Sequence, residues 1–137
     1  MSLQQQIMEE WRIDADMGDD LFEAARNIPI LHSKWIDKYL RIQLLKKEKE
    51  YEYDRVFKQK YSYYMGREEL APDEKIMKTE VQIYIKADEE IIKLRAMVDL
   101  YEKLEGTIKE ILNNINNRSF QIKNAIDWLR YSRGIDE

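Results

Sequence analysis

Cysteine is absent from the sequence and histidine occurs once, at His32. The first absence excludes disulfides and thiolate metal sites and suits a reducing interior. The second leaves no His pair for a metal, and no Glu-x-x-His pattern of a carboxylate di-metal bundle occurs. Walker and GxGxxG glycine loops are missing too, so nothing marks nucleotide hydrolysis, and no strained nucleophile turn signals a hydrolase. No apolar run approaches the roughly 18 residues of a membrane span, and the first residues lack a signal-peptide core. Together these absences predict a soluble, intracellular chain that is not an enzyme and takes no cofactor or metal.

Glycine and proline are also scarce, at four and two residues of 137, while 36% of the residues are charged and 44% hydrophobic. That composition predicts a single, mostly helical all-α domain over residues 1–137, with few turns. Leu3, Ile7 and Trp11 fall at i, i+4 and i+8, giving a short amphipathic helix over residues 1–13. An acidic linker follows at 14–20, broken by Gly18, in which Asp19 or Asp20 caps the next helix. From Leu21 an apolar spacing of three and four predicts a long helix over 21–65, kinked near Pro29. Gly66 is its expected stop. Residues 79–86 alternate Val81, Ile83 and Ile85 with polar or aromatic neighbours, a period of two that predicts a short extended strand. Asp88 then caps C-terminal helices over 88–131. Their apolar seam runs Leu94, Val98, Tyr101, Leu104, Ile108, Ile111 and Ile115, and the NNINNR run at 113–118 marks a turn or a frayed end.

The formal net charge of −4 conceals a segregation. Residues 1–20 carry six acids against Arg12 alone, whereas residues 34–67 carry ten basic and five acidic residues. Residues 68–117 return to twelve acids against seven bases, and 118–133 are basic again. The densest coincidence of cations and aromatic rings is YDRVFKQKYSYYMGR at 53–67. Lysine and arginine neutralise phosphate, and aromatic rings stack on unpaired bases of any identity. The same composition also describes a helix end in which the rings are core and the lysines are solvated. On helical spacing Lys47, Tyr51, Arg55 and Lys58 share one stripe, while Tyr53, Phe57, Lys60, Tyr64 and Arg67 share another.

Read in order, FEAARN (22–27), SKWIDK (33–38), FKQKYSYYMGR (57–67), MKTE (77–80), KADEEIIK (86–93) and RSFQIKNAI (118–126) resemble the UvsY-type recombination mediators of T-even-like phages. The resemblance implies a non-catalytic protein of phage homologous recombination, repair and recombination-dependent replication, working in the cytoplasm of an infected bacterium. It implies binding to single-stranded DNA and assembly as a ring-like homo-oligomer, a hexamer or heptamer. The further partners it implies are a RecA-like recombinase and a phage single-strand-binding protein. In the family, two basic residues two apart followed by paired tyrosines contribute to DNA binding. Here those positions are Lys58 and Lys60, with Tyr63, Tyr64 and Arg67 behind them; Arg55 joins them, and Arg118, Lys123 and Arg130 are secondary basic candidates. Lys60 stands where relatives carry arginine, which keeps the charge without the planar fork. The alternative is a helical scaffold or adaptor without nucleic-acid binding. The fate of Tyr63 and Tyr64 discriminates the two, full burial favouring the scaffold.

Overall fold

The computed structural model describes residues 1–66 and 77–134. Five α-helices occur among them: α1 (Leu3–Asp14), α2 (Leu21–Tyr64), α3 (Val81–Ala87), α4 (Glu89–Asn116) and α5 (Arg118–Ser132). A single 3-10 turn, Lys78–Glu80, leads into α3. No strand is present among the described residues, and no helix there is long and apolar enough to cross a membrane.

The helix ends follow local chemistry. Ser2 and Gln5 form a reciprocal capping box on α1, satisfying donors that the helix itself leaves unpaired. Asp20 Oδ1 accepts from the Phe22 and Glu23 amides, each at 3.1 Å, and starts α2. That helix runs unbroken through Pro29. It stops where Gly66 takes φ +76°, a left-handed conformation that glycine adopts without a Cβ penalty. Asp88 Oδ1 accepts from the Glu90 amide at 3.0 Å and starts α4. The NNINNR run resolves into a break of one residue, Asn117, between α4 and α5.

The expected strand at 79–86 is helical. Val81 and Ile85, four apart, share one helix face and are both 0% exposed, packed with Val56, Ile91 and Leu94. A strand would have sent Ile83 the same way as Val81 and Ile85, but Ile83 is 67% exposed. With no strand to pair with among the described residues, burying an i, i+4 pair wins over the β-branched alternation.

The chain groups into two compact units, Met1–Arg41 with Leu104–Glu137, and Ile42–Lys103. In the first, Trp35 and the α4 seam residues Leu104, Ile108, Ile111 and Ile115 are buried, together with Ile7, Ala24 and Ile122. Helix α1 buries one apolar side chain, Ile7; the rest of its grip is polar and aromatic. Lys34 Nζ lies 2.9 Å from Glu10 and 2.7 Å from Asp14, and Lys38 Nζ lies 2.8 Å from Glu10. The Trp35 indole N–H donates to Asp14 Oδ2 at 3.0 Å, and Trp11 meets Trp35 edge-on at 5.8 Å. In the second unit the core is Val56, Val81, Ile85, Ile91 and Leu94, flanked by Tyr53, Phe57, Tyr61, Tyr64 and Met65.

Candidate nucleic-acid interface

The C-terminal part of α2 divides its basic and aromatic residues between two faces, because 100° per residue separates i from i+2 by more than half a turn. Val56 is buried, and Tyr53, Phe57 and Tyr64 lie beside it against α3 and α4. Lys60 falls on this inward side. Its ammonium sits 3.4 Å from Asp88 and 3.3 Å from Glu90, with the side chain 27% exposed. Burial works against its charge, but the Glu90 and Asp88 carboxylates outweigh that and hold its pKa above the ordinary lysine value.

Asp88 is the hub of this arrangement. Besides capping α4 it accepts a 3.0 Å hydrogen bond from the Tyr64 hydroxyl. Burial alone would raise its carboxyl; Tyr64, the Glu90 amide and Lys60 more than offset this and keep it below the usual aspartate value. Burial and the facing carboxylate both push the Tyr64 phenol up. Tyr64 also packs against Tyr84, ring centroids 5.8 Å apart, and Tyr63 meets Tyr64 edge-on at 5.0 Å. Both tyrosines are half-buried.

The outward face carries Arg55 and Lys58, three residues apart and both exposed. Neither forms an ion pair among the described residues. Tyr51, one turn earlier on the same stripe, is 68% exposed. The i, i+4 spacing of Tyr51 and Arg55 in the sequence already puts this ring on the stripe. Lys47, at the stripe's start, leans on Glu50 at 3.6 Å. Arg67 lies outside the described residues.

The secondary candidates separate equally sharply. Lys123 and Arg130 are exposed on α5. Arg118 is 2% exposed, so it is a structural cation rather than a surface contact. Its Nη2 donates to the carbonyls of Asp14 at 3.0 Å and Ala15 at 3.1 Å, the unpaired acceptors at the end of α1. Burial lowers its pKa, partly countered by Asp14. Nothing among the described residues groups His, Asp or Glu side chains in a way that could hold a metal.

The family model described as recombination, repair and ssDNA binding protein UvsY matches residues 6–135. The chain belongs to the UvsY family. Recombination protein uvsY of Enterobacteria phage T4 is 28% identical to this UvsY-family chain over 142 residues, spanning 96% of each. Two crystal structures of the bacteriophage T4 recombination mediator protein UvsY share its fold. In one lattice the TM-score is 0.86, over 97% of this chain and 98% of that one; in another it is 0.85, over 93% and 98%. Sequence identity in both is 24%, so these two likenesses speak to the fold alone.

Proposed function

We propose that this UvsY-family protein is a non-catalytic recombination mediator that holds single-stranded DNA on the outward face of α2. It promotes loading of a RecA-like recombinase onto DNA coated with single-strand-binding protein, as a ring-like homo-oligomer in the cytoplasm of a phage-infected bacterium. The observation that carries the DNA contact is the pair Arg55 and Lys58, exposed, without ion pairs among the described residues, and aligned with the exposed ring of Tyr51. Cations of this kind meet phosphate without first giving up a protein partner. A ring beside them offers a stacking surface indifferent to base identity.

Two phosphate contacts per protomer give a log–log salt slope of only about −1.4 on single strands, at about −0.7 each. That is weak binding for one subunit. A ring repeats the site at high effective concentration, which turns a weak contact into a strong one. The name of the phage T4 relative, a recombination protein, supports the same reading.

Titration of fluorescent oligo-dT at several salt concentrations tests the site. An Arg55→Ala/Lys58→Ala protein should bind more weakly at low salt, with a slope shallower by about 1.4 per protomer. Wild-type protein that ignores oligo-dT at low salt would instead support the scaffold; Tyr63 and Tyr64, half-buried, do not meet the full burial which that reading calls for. Normal binding by the double variant moves the contact elsewhere.

A further inference from the structure

Helix α1 sits on a group of side chains with the chemistry of a second site. Lys34 and Lys38 are one turn apart on α2, and each places its ammonium over the Trp35 ring, at 5.8 and 5.7 Å from the centroid. Two ammoniums around one indole are what a single strand needs, phosphate neutralisation beside a stacking face. In the folded chain all three groups are taken. Glu10 occupies Lys34 and Lys38, and Asp14 occupies Lys34 and the indole N–H, at 2.7–3.0 Å. Trp35 itself is 0% exposed.

We infer that Lys34, Trp35 and Lys38 form a second single-stranded DNA contact which α1 masks with its own carboxylates. The inference rests on the reading of the chain as a DNA-binding mediator, and it concerns a surface other than Arg55 and Lys58. The carboxylates of Glu10 and Asp14 stand where phosphate oxygens would stand, so α1 and a nucleic-acid strand compete for the same donors.

The hold of α1 is suited to competition. A helix of 12 residues is marginal alone, and this one buries only Ile7. Three ion pairs, from Glu10 and Asp14 to Lys34 and Lys38, are part of its remaining attachment and weaken as counter-ions accumulate. The linker behind it, residues 15–20, turns at Gly18 with φ +70° and nothing within 4 Å of where a Cβ would sit. Six extended residues reach about 20 Å, enough for α1 to leave its seat while still attached. Arg118 holds the end of α1 through two carbonyls, a contact that is lost on release. Masking is therefore an equilibrium. DNA shifts it by the difference in affinity between masked and open states, and apparent affinity falls with the open fraction.

The test uses the full-length Glu10→Gln/Asp14→Asn protein, in which the carboxamides keep the shape and hydrogen-bonding oxygens of α1 but not its charge. Oligo-dT binding at low salt should tighten by roughly 5-fold. The salt slope should steepen by about 1.4, the mark of two added phosphate contacts. A charge-matched Glu9→Gln/Asp19→Asn protein should leave the slope unchanged, and adding Lys34→Gln/Lys38→Gln should abolish the gain. If oligo-dT binding and slope match wild type, or if the charge-matched control gains as much, the inference is overturned. A second measurement needs no substitution. Hydrogen exchange of wild-type protein with saturating oligo-dT should lose protection across α1, and protection that is unchanged or stronger refutes masking. Wild-type binding lost on Arg55→Ala/Lys58→Ala with neither effect at α1 would leave the proposed function standing and sink this inference alone.

Discussion

Lys58 and Lys60 are two residues apart in the sequence and carry the same charge, yet their replacement by alanine should give opposite phenotypes. Lys58 is exposed and has no ion pair among the described residues, so Lys58→Ala removes nothing from the folded state and should leave stability within about 0.5 kcal/mol. It deletes one phosphate contact, making the salt slope shallower by about 0.7 per protomer, so that a tenfold rise in salt costs this variant about fivefold less affinity than wild type. Lys60 is the reverse case. Its two ion pairs to Asp88 and Glu90 are partly shielded, and at a few tenths to 1 kcal/mol each they amount to roughly 1 kcal/mol, Glu90 being the more solvated partner. For a chain of this length that corresponds to a drop in Tm of about 3–4 °C. The assay is urea or thermal unfolding at one fixed protein concentration, paired with oligo-dT titration across a salt series. If Lys60→Ala were to flatten the salt slope as much as Lys58→Ala while unfolding like wild type, the inward placement of Lys60 would be refuted.

The remaining expectations concern the groups around these helices. Asp88→Ala removes a helix cap, the acceptor of Tyr64 and the partner of Lys60 together, and should cost about 2–3 kcal/mol in urea unfolding. Asp88→Asn keeps the cap and the acceptor and should cost about 1 kcal/mol or less; equal losses in the two variants would argue against the hub. Arg118→Ala removes a buried side chain and takes the donor from the Asp14 and Ala15 carbonyls at the end of α1; it should cost about 1–3 kcal/mol, read from the urea midpoint and from loosened Trp11–Trp35 packing in tryptophan fluorescence. Stability should be flat through neutral pH and fall at both extremes. Glu10, held low chiefly by Lys38, and Asp88 contribute stability that is complete above their ordinary values of 4.5 and 3.8 and is lost as pH falls through their lowered folded values. Lys34 and Lys60 contribute stability that is complete below 10.5 and is lost as pH rises through their raised folded values. An unfolding midpoint followed across pH, with Asp88→Asn showing a smaller acid loss, checks the sign.

Much of this arrangement was legible in the chain because it is local. The α4 seam, a cap at Asp19 or Asp20, Asp88 as a cap and Gly66 as a stop each depend on neighbours within a turn or two; the structure decides for Asp20. The two-stripe division of α2 was legible for the same reason. Non-local contacts were not. Val81 and Ile85 satisfy a period of two and a spacing of four equally well, and only the apolar surface offered by Val56, Ile91 and Leu94 decides between them. Lys60 reads as free until Asp88, 28 residues later in the numbering, is brought beside it. Arg118 looked like one more cation of a basic last helix because its acceptors, the carbonyls of Asp14 and Ala15, lie about a hundred residues earlier.

The break at Asn117 has a consequence for how signals could pass through the first unit. Asn117 keeps right-handed dihedrals, φ −86° and ψ −2°, its amide bonds back to Asn113 and Asn114, and its carbonyl accepts from Phe120 and Gln121. No glycine or left-handed residue enforces the bend between α4 and α5. Its direction is therefore held from outside the break, by the burial of Ile122 and by Arg118, the first residue of α5, gripping the end of α1. Arg118 thus ties the start of α5 to the end of α1, and by thermodynamic reciprocity a ligand that shifts one of them through this contact shifts the other by the same free energy.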